Sequence, residues 1–186
     1  MNPSAKDNQQ IFSAGILTIS DSGSAGDRVD ISGERIVEII EVAGFNKRLK
    51  DIVPDEIPVI SEKLAEWSDS GEVDIIFTTG GTGLGPRDVT PEATKNILDL
   101  EIPGIGESMR VKTLDRTPFA ILSRSTAGIR SGCLIVNLPG SPKGVEECLE
   151  VVIESLPPRS GNDKRMEISR RTKLDKHINH SSTDNL

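Results

Sequence analysis

The chain has 186 residues, of which 35% are hydrophobic, and a formal net charge of −7 at pH 7. This length suits one ordinary domain with short additions, and a body of roughly 150 residues buries about two-thirds of its unfolded surface without help from disulfides or metals. The negative charge argues against a nucleic-acid binder that relies on general phosphate attraction, and no apolar run approaches the ~20 residues of a membrane span.

The first half of the chain alternates between predicted strands and helices. Apolar runs and helical spacing predict a strand at 14–20, a helix at 33–43, a strand within 47–53 and a helix at 58–68. Ser32 is the expected N-cap of the first helix, and Gly44 stands at its C-terminal stop position.

The next predicted strand begins at Val73 and is apolar enough to be buried on both faces. A helix follows over Glu92–Leu100, with Thr90 as the expected N-cap and a proline after it. Pro103–Leu114 is a further predicted helix, whereas the pattern of residues 117–130 is compatible with either helix or strand.

The last predicted strand is Cys133–Leu138, and the last helix is Val145–Leu156, preceded by a second cap-plus-proline start at Ser141. Strands alternating with helices imply the α/β class, with a mostly parallel sheet covered on both faces. In such a sheet the loops after the strands gather along one edge, where ligands bind. The loops that qualify are 20–27, 53–56, 78–90 and 138–143.

One of these loops carries a cluster of glycines, Gly80-Gly81-Thr82-Gly83, between a buried strand and a helix start. Strand, glycine loop and helix N-terminus is a layout that holds anions through backbone N–H groups and the helix dipole. The loop is not a Walker A loop, because no Gly-Lys-Ser/Thr ends it, and it lacks the GxGxxG dinucleotide spacing. The glycines alone therefore indicate an anion site only weakly.

Two acidic residues, Asp55 and Asp88, follow strands at this same edge. An acid there repels a phosphate unless a divalent cation lies between them. Paired carboxylates facing an anion are typical of Mg²⁺-assisted phosphoryl or nucleotidyl transfer. The alternatives are that Asp55 only caps a helix and that Asp88 forms a weak surface pair with its neighbour Arg87.

Three cations near the predicted edge are candidates for anion contacts. Arg124 and Arg130 lie amid small residues and can grip an anion bidentately, or they are exposed charges on a strand. Lys143 can meet a phosphate or point to solvent. No Ser-His-acid or Cys-His arrangement is present, so a histidine general base is not expected.

The ends of the chain differ from its body. Residues 1–13 are a polar extension without a targeting signal, 14–158 form the predicted domain, and 159–186 are a basic tail or linker. Beyond Pro158 there are seven basic and four acidic residues, which leaves the preceding part with a charge of −10.

The cysteines and histidines point to no metal site or disulfide. Cys133 and Cys148 fall in apolar segments and are expected to be reduced core thiols, which indicates a cytoplasmic protein. His177 and His180 lie in the polar tail without nearby ligands, so solvated side chains are the expectation.

The ordered set of motifs resembles the molybdopterin adenylyltransferases, meaning the bacterial Mog-type enzymes and the G domains of gephyrin-like proteins. The segments that carry this resemblance are ISDSGSAG, VPDE, TTGGTGLGPRDVTPEAT, PGIGESMR, PFAILSRSTAGIR and LIVNLPGSPK. The glycine motif alone is shared with sibling domains that do not catalyse this step, so VPDE and PRDVTPEAT are the more diagnostic segments.

The resemblance implies a three-layer α/β/α sandwich, usually a homotrimer. It also implies Mg²⁺-dependent transfer of AMP from ATP to the terminal phosphate of molybdopterin, with release of pyrophosphate. The product is then the substrate of a partner protein or domain that inserts molybdate. The rival interpretation is a catalytically weak module that binds or delivers molybdopterin.

The resemblance also assigns roles to individual residues. Asp55 and Asp88 are the implied catalytic acids, which place Mg²⁺ and the reacting phosphates. The implied lining of the phosphate and pterin pocket consists of Gly80, Gly81, Thr82 and Gly83. The residues implied to shape the ligand sites are Ser20, Asp21, Ser22, Ser123, Pro139, Gly140 and Ser141.

Overall fold

A computed structural model describes residues 12–156 of the chain, which form one sheet with helices on both sides. The strands β1 to β6 are Ser13–Ile19, Asn46–Val53, Ile75–Thr79, Leu100–Glu101, Ala127–Arg130 and Cys133–Leu138. The helices α1 to α6 are Asp21–Ser24, Ile31–Val42, Ile57–Ser70, Thr90–Lys95, Pro103–Thr113 and Pro142–Ser155, and a 3-10 turn spans Pro118–Leu122. Most of the N-terminal extension, the basic tail, His177 and His180 lie outside the described residues.

The sheet has the strand order β2-β1-β3-β6-β5-β4. Strands β2, β1, β3 and β6 run parallel, while β5 is antiparallel to both β6 and β4. The register pairs Ile19 with Val53, and Thr79 with both Thr18 and Leu138. The parallel strands therefore end nearly level, which brings their following loops to one edge as predicted.

Two apolar cores lie on opposite faces of the sheet. Residues alternate between the faces along β3, so Ile75 and Phe77 pack in one core and Ile76 in the other. The first core is covered by α2, α5 and α6, and the second by α3 and α4. This arrangement confirms the three-layer α/β/α sandwich around a mostly parallel sheet.

The helix predicted over Glu92–Leu100 is wrong in its extent, because α4 ends at Lys95. The Asp99 N–H donates to Ile129 O at 2.8 Å, and the Ile102 N–H donates to Ala127 O at 2.8 Å. The intervening residues form β4, since these long-range backbone bonds replace the helical ones. The ambiguous segment 117–130 contains both the 3-10 turn and β5.

The predicted N-cap of α2 is also wrong. Asp30 occupies the cap position, and its Oδ1 accepts a hydrogen bond from the Gly33 N–H at 2.8 Å. The Ser32 hydroxyl instead donates to Gly140 O at 2.8 Å. Ser32 thus joins α2 to the loop after β6 rather than capping its own helix.

The predicted state of the cysteines is confirmed, because Cys133 and Cys148 are both buried and free. Burial raises the pKa of the Cys133 thiol to about 12 and that of Cys148 to about 11. Neither thiol is therefore ionised near neutral pH. No helix within residues 12–156 is long and apolar enough to cross a membrane.

Candidate functional site at the carboxyl edge of the sheet

The glycine loop after β3 has a backbone that requires glycine at its first two positions. Gly80 has φ +102° and Gly81 has φ +61°. A Cβ on Gly80 would lie 2.2 Å from Ile19 O, and one on Gly81 would lie 2.4 Å from Thr90 Oγ1. These glycines allow the loop to pack closely against β1 and α4.

Thr90 connects this loop to α4. The prediction that Thr90 is the N-cap of this helix is wrong. Val89 occupies the cap position without a side-chain bond, and Thr90 is the first helical residue. The Thr90 hydroxyl donates to Gly80 O at 2.9 Å, and its N–H donates to Gly81 O at 3.0 Å. The start of the helix is therefore fixed to the two glycines.

Asp21 and Asp55 join the loops after β1 and β2 through reciprocal hydrogen bonds. The Asp21 N–H donates to Asp55 Oδ2 at 2.9 Å, and the Asp55 N–H donates to Asp21 Oδ1 at 3.0 Å. Arg87 adds the third loop, because its Nε and Nη2 donate to the two carboxylate oxygens of Asp21 at 3.0 and 2.7 Å. Three loops far apart in sequence thus converge on one acidic centre.

The predicted acids Asp55 and Asp88 both border the glycine loop. A Cβ on Gly81 would lie 3.2 Å from Asp55 Oδ1, and one on Gly83 would lie 2.9 Å from Asp88 Oδ2. The Gly85 N–H donates to Asp88 Oδ2 at 2.7 Å, which orients that carboxylate. The structure therefore places both acids, which come from different loops, beside the glycine loop.

In this acidic centre the pKa values of Asp55 and Asp21 are shifted in opposite directions. Burial raises the pKa of Asp55, and the charges of Asp21 and Asp88 raise it further against the opposing effects of the Asp21 amide and Arg87. The Arg87 hydrogen bond and the Asp55 amide lower the pKa of Asp21. Asp55 consequently carries its negative charge in an unfavourable setting, which a nearby cation would relieve.

The donor set fits a magnesium ion that is shared with a ligand. Residues 12–156 contain no group of three or more His, Cys, Asp or Glu side chains that can hold a metal alone. Mg²⁺, however, is commonly bound by one or two carboxylates together with substrate phosphates and water. Asp55 and Asp88 provide two carboxylates next to the glycine loop, so they match this mode and not a metal site made of protein ligands alone.

The guanidinium groups of Arg124 and Arg130 bind to partners within the protein. Arg124 Nε donates to Gly83 O at 2.7 Å, and its Nη groups bond to Asp88 O and the Glu92 carboxylate. Arg130 donates to Ile97 O at 2.9 Å and pairs with Asp69, away from the glycine loop. Arg124 instead bridges both ends of the segment that carries Asp88.

Two cavities meet at this edge. The larger has a volume of about 520 Å³, and the predicted residues that line it are Gly81, Thr82, Gly83, Asp88, Ser123, Pro139, Gly140 and Ser141. The smaller has a volume of about 210 Å³, and its predicted lining residues are Ser20, Gly80 and Gly140. Gly140 lines both cavities, so they adjoin where the glycine loop faces the loop after β6.

Three predicted site residues line neither cavity. Asp21 and Asp55 belong to the acidic centre described above, and the Ser22 hydroxyl lies 3.3 Å from that of Ser20. Ser20 itself caps α1, because its Oγ accepts a hydrogen bond from the Gly23 N–H at 3.1 Å. Ser20 and Ser22 thus shape the loop after β1.

The sequence interpretation missed most of the larger cavity's outer wall. The missed lining residues come from α5, the 3-10 turn and α6, and include Met109, Arg110, Thr113, Phe119, Leu122 and Glu147. One available signal was spacing, since Gly144, Glu147 and Cys148 stand at i, i+3 and i+4 and therefore share one side of α6.

The fold and site together define an α/β protein with an acidic, glycine-rich pocket at the carboxyl edge of a parallel sheet. The family of probable molybdopterin binding domains matches residues 15–158, and the chain belongs to this family.

The names of individual relatives support the assignment of the chain to this family. A Helicobacter pylori protein named molybdopterin adenylyltransferase is 44% identical over 150 residues, which cover 80% of this chain and 85% of that protein. The Drosophila melanogaster molybdenum cofactor synthesis protein cinnamon is 42% identical over 144 residues, which cover 77% of this chain and 24% of that protein. The crystal structure of the molybdopterin biosynthesis enzyme MoaB from Thermus thermophilus is similar with a TM-score of 0.73 and 50% identity, covering 79% of this chain and 92% of that one.

Proposed function

We propose that the protein is a molybdopterin adenylyltransferase in molybdenum cofactor biosynthesis. It transfers AMP from ATP to the terminal phosphate of molybdopterin and releases pyrophosphate. The observation that carries this proposal is that two acids, Asp55 and Asp88, border a glycine loop whose residues line two adjoining cavities. Relatives named for this activity cover most of the chain and are 42% to 44% identical to it.

The two cavities suit a reaction between two substrates. Both substrates carry phosphates, and the shared border at Gly140 lies beside Gly80, while Gly81 and Gly83 line the larger cavity. Backbone N–H groups can bind phosphates in a body whose net charge is negative. The cavities therefore hold the organic parts of the two substrates, and the glycine loop holds their phosphates.

The reaction joins a phosphate oxygen of molybdopterin to the α-phosphorus of ATP. The bond between that phosphorus and the β-phosphate oxygen breaks, and pyrophosphate leaves with the bonding electrons. A phosphate nucleophile is already ionised at neutral pH, so no general base is required. The body of the chain accordingly has no histidine, since His177 and His180 are both in the tail. Positioning and charge neutralisation are the protein's tasks.

Mg²⁺ is part of the proposal, with Asp55 and Asp88 as its ligands. Bound there, the ion would neutralise negative charge on the reacting phosphates. Asp21 holds Asp55 through the reciprocal amide bonds, Arg87 holds the Asp21 carboxylate, and the Gly85 N–H orients Asp88. Ser22 shapes the loop after β1, and the other predicted residues, from the loops after β1, β3 and β6 and around Ser123, line the two cavities.

The proposal extends to the protein's assembly and place in the pathway. A homotrimer is proposed on the basis of the family resemblance. The adenylylated product is passed to a protein or domain that inserts molybdate. The Drosophila relative supports a linked partner, because this chain matches only 24% of its length.

The direct test is pyrophosphate release in the presence of Mg²⁺, ATP and molybdopterin. Release that depends on all three components supports the proposed transferase. Omission of molybdopterin controls for simple ATP hydrolysis. Tight binding of molybdopterin without pyrophosphate release would instead favour the binding or delivery module.

Replacing Arg124 tests whether positioning of Asp88 matters for turnover. Arg124→Lys should lower kcat by about tenfold, because one ammonium cannot bridge Gly83 O, Asp88 O and the Glu92 carboxylate together. Steady-state pyrophosphate release measures this effect. The matched control is Arg130→Lys, since Arg130 also binds a carbonyl and a carboxylate but outside the site. Equal kcat values for the two variants would contradict a positioning role for Arg124.

A further inference from the structure

Glu147 is an acidic residue in the wall of the larger cavity. Only 9% of its surface is exposed, although the residue is a glutamate on a peripheral helix. Its neighbours on α6 behave differently, because Glu146 pairs with Arg35 and Glu150 with Arg116, both at 2.9 Å and both at the surface. Glu147 is thus the one glutamate of α6 that lines the cavity and is buried.

The protein itself does not satisfy this carboxylate. Within residues 12–156, no side-chain or backbone donor hydrogen-bonds to it, and its ion pair with Lys143 Nζ is 3.9 Å long. The Lys143 side chain is 80% exposed, so this pair stabilises the charge little. Buried carboxylates are almost never left without donors. A ligand in the cavity can supply the donors that the protein does not.

We propose that Glu147 binds the 2-amino and N3–H groups of the pterin ring, which assigns the larger cavity to molybdopterin. This inference rests on the proposed function and deepens it. A 2-amino-4-oxo pterin presents these two donors side by side, so one carboxylate can accept a hydrogen bond from each. Glu147 is then a specificity-determining residue for the pterin substrate.

The chemistry of Glu147 favours pterin over the other groups in the reaction. Adenine presents its 6-amino donor next to the N1 acceptor, so a carboxylate gains one hydrogen bond and faces a repelling lone pair. A phosphate is excluded from this position by its like charge. Apolar side chains of Met109, Phe119 and Leu122 line the same cavity and provide surfaces for a flat ring.

The size and lining of the cavity allow one ligand to contact both ends of the site. Its volume of about 520 Å³ lies within the usual range of ~300–1,000 Å³ for small-molecule pockets. Gly81, Gly83 and Asp88 line it together with Glu147. Molybdopterin can therefore place its pterin at Glu147 and still present its phosphate to the glycine loop.

The test compares pterin with lumazine, which carries a 2-oxo group in place of the 2-amino group. The wild-type protein should bind pterin about tenfold or more tightly than lumazine, because a hydrogen bond to a charged group is lost with lumazine. Glu147→Gln should reverse this preference, since the amide can donate to the 2-oxo group and its carbonyl can accept from N3–H. Inhibition constants against molybdopterin and fluorescence titration without ATP both measure the preference.

Steady-state kinetics and a matched control complete the test. Glu147→Gln should raise the KM for molybdopterin by about tenfold or more and leave the KM for ATP within about twofold. Glu146→Gln removes the same charge from the outer face of α6 and should change neither KM.

The outcomes separate this inference from the proposed function. Equal pterin-to-lumazine preference in wild type and Glu147→Gln, or wild-type protein that binds neither, would overturn the assignment. If Glu147→Gln raised only the KM for ATP, the larger cavity would bind adenine and not pterin. This result would also overturn the assignment. Absence of pyrophosphate release by the wild type contradicts the proposed function instead, and the titration without ATP still tests Glu147.

Discussion

Asp88→Asn is expected to lower kcat for pyrophosphate release by about two to three orders of magnitude, because it removes a proposed ligand of the Mg²⁺ ion that would neutralise charge on the reacting phosphates. Asparagine has nearly the same shape and can still accept the Gly85 N–H through its side-chain oxygen. The fold and the affinity for molybdopterin should therefore be kept. Steady-state kinetics, thermal unfolding and ligand titration measure the three quantities separately.

The control for this substitution is Asp115→Asn, which removes the same charge from an exposed position after α5. Its kcat should equal that of the wild type. Asp88→Asn protein with unchanged kcat would show that Asp88 has no catalytic role. A loss of activity accompanied by a large fall in melting temperature would show that Asp88 serves the structure and not the reaction.

Gly80→Ala is expected to abolish turnover and to lower the free energy of unfolding by about 3 kcal/mol or more. The new Cβ would lie 2.2 Å from Ile19 O, and a backbone carbonyl in the central sheet cannot move away cheaply. Either β1 or the glycine loop must shift, which displaces the edge that binds the phosphates. Denaturant unfolding and pyrophosphate release measure the two effects.

Gly44→Ala separates the steric clash from the cost of backbone conformation. Gly44 has φ +87°, similar to the +102° of Gly80, but a Cβ there would meet no atom within 4 Å. It should cost only about 1–2 kcal/mol, the penalty of a left-handed backbone for alanine, and leave kcat unchanged. Equal losses of stability in the two variants would contradict the proposed clash with Ile19.

The sequence was sufficient for the parts of the fold that depend on local pattern. Apolar runs such as Cys133–Leu138 predicted the parallel strands. The cap-plus-proline pattern at Ser141-Pro142 marks the observed start of α6, three residues before the predicted start at Val145. Because parallel strands end at one edge, the convergence of loops 53–56 and 78–90 followed from topology alone. The proximity of Asp55 and Asp88 was predictable for the same reason.

The features that escaped prediction depend on contacts between distant segments. Strand β4 forms because the chain near Asp99 pairs with Ile129, which no local pattern reveals. Arg124 binds backbone carbonyls 36 and 41 residues away, so its sequence neighbours gave no indication of that role. Glu147 was missed because the larger cavity that it lines is formed by residues of α5, the 3-10 turn and α6 that are distant in sequence.

The proposed function is tested most directly by following the α-phosphate of ATP. ATP labelled at that phosphate is incubated with the protein, Mg²⁺ and molybdopterin, and the products are separated by chromatography. We predict that the label moves into a pterin product containing one AMP, with one equivalent of pyrophosphate released. Label that stays in ATP, or that appears only as free AMP, would contradict the assignment as a molybdopterin adenylyltransferase.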